Sequence, residues 1–112
     1  MADSESAVLS EFELLVVLAV LSLGDRAYPL AIADAIQTRT GRRASRGAVL
    51  ITLERLEDQG LVTSSYGEST PVRGGRPKRF FRPRPAAVTA ARQALERFKT
   101  MTVGLHTVLK LQ

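Results

Sequence analysis

The chain has 112 residues, no cysteine and one histidine, a formal net charge of +5, and is 45% hydrophobic and 24% charged. That balance is globular rather than disordered, and the length suits one small domain with at most an extra element. The lack of thiols excludes disulfides, thiolate metal sites and cysteine catalysis, and His106 alone cannot build a zinc site, so no catalytic residue, no metal and no cofactor is expected.

The opening residues, MADSESAV, are acidic and do not read as a secretory signal. Residues 1–9 form a polar lead, expected to be flexible. Ser10 and Glu13 then stand at capping-box spacing, opening a helix over about Glu11 to Leu23. This helix is rich in Leu, Val and Ala on every side, so it must be covered on every side. One small domain covers one face, and a second subunit is expected on the other, at Leu15 and Leu18. The apolar run Leu14 to Leu23 is only about half a membrane span, so no membrane partner is expected and the location is read as cytoplasmic.

A second helix is predicted from Pro29, where a missing N–H costs little, to about Thr40, with Gly41 ending it. Ser45 caps a third helix that closes at Gly60. Val49, Leu53 and Leu56 give this helix one apolar stripe, with Ala48 and Thr52 beside them, and Arg46, Leu50, Glu54, Arg55 and Asp58 lie on the other face. Arg42, Arg43 and Arg46 crowd its N-terminus, where free N–H groups and the helix dipole already favour anions. Two helices joined by a tight turn, the second basic at its tip, make a helix-turn-helix candidate.

Residues 61–66 and 78–82 are β-prone and flank a Gly/Pro-rich loop, which reads as a hairpin. Arg73, Arg76, Lys78, Arg79, Arg82 and Arg84 crowd its tip and second strand with no acid among them. A basic hairpin at this place is a wing, able to lie on DNA phosphates or enter the minor groove. Residues 42–84 hold ten basic side chains against four acids, whereas residues 1–41 hold two against six, the electrostatic footprint of an anion-binding face.

After Pro83 and Pro85 the pattern predicts one long amphipathic helix from about Ala86 to Leu111. Val88, Ala91, Leu95, Phe98, Thr102, Leu105 and Leu109 form a heptad-like seam on it. A helix of that length outreaches so small a domain, so the seam is expected to bind a second copy of the chain. The fold class expected is therefore mainly α with a small β-hairpin. Its division is a lead (1–9), a winged helix-turn-helix DNA-binding domain (10–84) and a C-terminal dimerisation helix (85–112).

Ser45-Arg46-Gly47-Ala48, Leu53-Glu54-Arg55-Leu56-Glu57, Gly60-Leu61-Val62 and Gly74-Gly75-Arg76-Pro77-Lys78-Arg79-Phe80-Phe81, with Leu14 to Leu18, Tyr28 and Ile32-Ala33, resemble the PadR family of bacterial transcriptional regulators. The resemblance spans about residues 9–84, and the single C-terminal helix is similar to the family's short subgroup. It implies a winged-helix homodimer that binds double-stranded operator DNA, usually as a repressor. It also implies a C-terminal helix that exchanges contacts with the partner's first helix, and release by a small hydrophobic or aromatic effector held near the dimer interface. Carried onto this chain, it places Ser45, Gly47, Gly74 and Gly75 with Arg42, Arg43, Arg46, Arg73, Arg76, Lys78 and Arg79 at the DNA. The chain departs from the family at Tyr28-Pro29, where Tyr-Gly is usual, and at Leu50-Ile51, where Tyr-Pro is usual. Leu50 cannot donate a hydrogen bond; it is expected either to touch a thymine methyl or to be structural. The alternative function is a protein-interaction or sensor module without sequence-specific DNA binding, for which Leu50 and Ile51 would both point outward as an apolar patch. No nucleophile and base are assembled, so an enzyme is not expected.

Overall fold

The computed structural model describes residues 7–67 and 77–112. Helix α1 (Glu11–Leu23) begins with the expected capping box. The Glu13 N–H donates to Ser10 Oγ at 3.1 Å, and the Ser10 N–H donates to Glu13 Oε1 at 2.8 Å. Leu9 and Leu14 occupy the staple positions around this cap and both are buried, so the lead is anchored in the core by its last residue. The helix ends in a 3₁₀ turn (Gly24–Arg26) entered through Gly24, whose φ is +62°.

Helix α2 (Pro29–Thr40) starts on its proline and stops at Gly41, whose φ of +78° closes the helix. Helix α3 (Arg46–Asp58) follows, with Ser45 Oγ accepting the Ala48 N–H at 3.0 Å. Past its end Gly60 is left-handed, and the Leu61 N–H reaches back to the Leu56 carbonyl at 2.9 Å. Strands β1 (Val62–Tyr66) and β2 (Arg79–Pro83) pair antiparallel with Ser64 opposite Phe81. The Phe81 N–H also donates to the Ala27 carbonyl at 2.8 Å, tying the wing's root to the segment between α1 and α2.

The core is built from Val16, Val17 and Val20 of α1, Ile32 of α2, Val49, Leu53 and Leu56 of α3, Val62 of β1 and Phe81 of β2, all fully buried. α1 is the central element, packed by α2, α3, α4 and β2. Helix α4 (Pro85–Met101) presents Ala87, Ala90, Ala91 and Ala94 inward, all buried. Small side chains at helical spacing let its backbone lie close against α1. Ala91, expected in the intersubunit seam, is thus spent on packing within its own chain.

The single helix expected over 86–111 is interrupted. α4 covers 17 residues, about 26 Å at the usual rise, and stops at Met101. The Thr102 hydroxyl donates to the Lys99 carbonyl at 2.8 Å, and Gly104 takes a φ of +83°. A short turn, α5 (His106–Leu109), follows. Apolar spacing reports which face is greasy, and it runs on through a break; Gly104 and a β-branched Thr102-Val103 pair are the local signal that the backbone turns here. Leu105 and Leu109 of the expected seam lie beyond this turn. No helix among the described residues is long and apolar enough to cross a membrane.

Candidate nucleic-acid interface

The turn between α2 and α3 is only Gly41 to Ser45, so it carries Arg42 and Arg43 directly to the N-terminus of α3. Arg43 and Arg46 are exposed there. Arg42 is partly engaged: its guanidinium lies 3.5 Å from Glu11 and 4.8 Å from the centroid of the Phe12 ring. Ser45, assigned to the DNA contact by resemblance, uses its hydroxyl oxygen to cap α3.

The inward stripe of α3 is Val49, Thr52, Leu53 and Leu56, so the residues half a turn away face solvent. Gly47 and Ile51 occupy that outward ridge, and Ile51 is 60% exposed. Ala48, expected beside the core stripe, is exposed. Leu50 is half-buried and packs against the core, so it serves the fold, and the outward apolar pair expected for a protein-binding patch does not exist. The pattern itself carries this information, because at 100° per residue Ile51 stands almost opposite Val49, Leu53 and Leu56.

On β2 the side chains alternate. Arg79 and Phe81 face α3, while Phe80 and Arg82 face away. The Arg79 guanidinium is held on the inner side by Glu57 at 2.9 Å, Glu54 at 3.0 Å and Ser64 Oγ at 3.2 Å, above the Phe81 ring. Glu57 in turn accepts from the Ser64 hydroxyl at 2.8 Å. Burial alone would lower the Arg79 pKa, but the Glu54 hydrogen bond and the negative charges of Glu57 and Glu54 outweigh it and raise the value. Arg79 was expected on a phosphate; its side chain is only 24% exposed, and two carboxylates of α3 hold it. It joins the wing to the helix.

Lys78 stands over the Tyr28 ring at 4.4 Å, and that ring meets Phe80 edge-on at 5.6 Å. Its ammonium is exposed beside the wing, and Arg82 and Arg84 are exposed further along. Arg73, Gly74, Gly75 and Arg76 lie outside the described residues.

The surfaces expected to meet a second copy are of two kinds. Leu15 and Leu18 of α1 are half-buried in a groove of about 590 Å³, shared with Leu21, Ser22, Ile36 and Arg39. Arg39 Nη1 donates to Ser22 Oγ across this groove at 2.8 Å. Val88, Leu95 and Phe98 of α4 are exposed, as are Leu105 and Leu109, with Met101 beside them; Thr102 is half-buried.

A three-helix core with a β-hairpin packed beside its third helix is a winged helix-turn-helix, the architecture of a class of nucleic-acid-binding proteins. The same fold occurs in a transcriptional regulator from Clostridium thermocellum (TM-score 0.68, 20% identity, covering 85% of this chain and 89% of that one). It occurs in a PadR family transcriptional regulator from Eggerthella lenta (TM-score 0.65, 20% identity, 88% of this chain and 83% of that one). A PadR family regulator from Clostridium difficile also shares it (TM-score 0.64, 20% identity, 85% and 97%). No family model and no curated protein matches the chain. The fold is therefore that of the PadR family regulators.

Proposed function

We propose that this chain is a PadR-type transcriptional regulator that binds operator DNA as a homodimer, represses, and is released by a small hydrophobic or aromatic ligand. The observation that carries the DNA reading is the tip of α3. A helix N-terminus with free N–H groups carries exposed Arg43 and Arg46, and the hairpin packed beside that helix adds exposed Lys78 and Arg82, on a fold shared with transcriptional regulators. Phosphates would be held by Arg42, Arg43, Lys78, Arg73 and Arg76, and α3 would enter the major groove with Arg46 leading.

Support for the dimer is the uncovered apolar surface. Leu95, Phe98 and Met101 stand exposed on α4, and the α1–α2 groove offers apolar walls of the same character. An effector would sit beside this junction, where it could bias how the two DNA-reading helices are spaced.

The test is fluorescence anisotropy with a labelled duplex from the protein's own upstream region, beside a scrambled duplex, across a salt series. About 6–10 phosphate contacts per dimer give an affinity loss of roughly 10³–10⁵ between 50 and 200 mM salt. Arg43→Glu with Arg46→Glu should abolish binding. A salt slope near zero refutes the proposal.

A further inference from the structure

We infer that the Gly47–Ile51 ridge of α3 reads the 5-methyl groups of thymine in the major groove, so that Ile51 is a specificity-determining residue. This rests on the DNA-binding reading given above. The first two turns of α3, Arg46 to Leu53, read RGAVLITL. Val49, Thr52 and Leu53 are buried and Leu50 packs against the core. What remains outward is Arg46, Gly47, Ala48 and Ile51, and of these only Arg46 can hydrogen-bond through its side chain. Base selection by this helix must then combine one arginine with apolar contact. The apolar group that a base pair displays in the major groove is the thymine methyl.

Gly47 supplies an independent observation. Glycine weakens a helix relative to alanine, so its presence in α3 asks for a reason. The chain's own packing gives none, since a Cβ built there meets nothing within 4 Å and the backbone is in an ordinary helical conformation. The glycine leaves this part of the ridge open toward the outside of the chain. Gly47 lies one turn before Ile51 on the same ridge. A bare backbone at that point lets the helix settle deep enough for the Ile51 side chain to meet a base edge.

The experiment begins by selecting the preferred duplex from a randomised pool at low salt. Each thymine of that site is then replaced singly by deoxyuridine, which lacks only the methyl. The wild-type chain should lose about fourfold in affinity per methyl at one thymine in each half-site, as expected for one buried methyl-sized group. Ile51→Ala should bind more weakly and no longer distinguish thymine from deoxyuridine there. Gly47→Ala should fold at least as stably as the wild type and bind the site at least tenfold more weakly. A selected site at which every deoxyuridine is neutral, or an Ile51→Ala chain with an unchanged deoxyuridine pattern, overturns the inference and leaves the regulator reading intact. Failure to recover or bind any duplex at low salt overturns both.

Discussion

Replacing Arg79 by methionine tests whether the wing is locked to α3 from inside. Methionine keeps an unbranched apolar stem over the Phe81 ring and removes the guanidinium that meets Glu57, Glu54 and Ser64. The Glu57 pair is partly buried and charge-assisted, worth about 1 kcal/mol. The Glu54 pair is half exposed and worth about 0.5 kcal/mol. The stacking on Phe81 adds about 0.5 kcal/mol. Arg79→Met should therefore destabilise by about 1.5–2 kcal/mol in urea unfolding at one fixed protein concentration, the latter held because a dimer's stability depends on it. Glu57→Gln alone should cost about 1 kcal/mol. In the double variant the two losses should not add; a coupling energy of about 1 kcal/mol is expected for side chains in direct contact. A coupling below about 0.3 kcal/mol, or an Arg79→Met chain as stable as the wild type, would refute the clamp and return Arg79 to the exposed charge of the wing.

Other substitutions probe the rest of the scaffold. Ser45→Ala removes the cap of α3 and should cost about 1 kcal/mol, seen as a midpoint shift in thermal unfolding. Gly67→Ala places a methyl 2.8 Å from the Phe80 ring, so that ring must move; a loss of about 1–2 kcal/mol is expected by the same measurement. Phe98→Glu with Met101→Glu puts charge on the exposed end of α4 and should lower the mass in sedimentation equilibrium to that of one 12.2 kDa chain. A wild-type chain already at that mass refutes the dimer.

Local chemistry carried most of the fold into view from the sequence. Ser10 and Glu13, Pro29, Gly41, Ser45 and Gly60 each mark a helix end through a backbone group that needs a partner or a φ that needs glycine, and the structure uses each of them so. What was not legible was the choice among long-range partners. Nothing in the spacing of Arg79 distinguishes it from Lys78 or Arg82. Only the pairing of β2 with β1 turns it toward Glu54 and Glu57, residues more than twenty positions earlier. Ala91 of the expected seam was ambiguous for a related reason. Ala91 fits the heptad and fits the inward alanine face equally well, and the docking of α4 on α1 decides between them.

The same distinction governs how the chain's positive charge can be used. Counted along the sequence, residues 42–84 look like a continuous cationic surface, ten basic side chains against four acids. In the fold, acids of α1 as well as of α3 meet some of these cations. Glu13 takes Arg55 at 3.6 Å, Glu11 shares Arg42, and Glu54 and Glu57 take Arg79. Among the described residues, these pairs engage cations on the flanks of α3 and leave Arg43 and Arg46 exposed at its tip. Exposed pairs of this kind add little stability, so their effect is spatial. They concentrate the usable charge at the end of the helix whose dipole already favours phosphate. Arg55→Gln, which lies on the tied flank, should accordingly change the salt dependence of DNA binding far less than Arg43→Gln. Each lost phosphate contact flattens the slope by about 0.9. Equal slopes for the two variants would show that overall charge, and not its placement, governs binding.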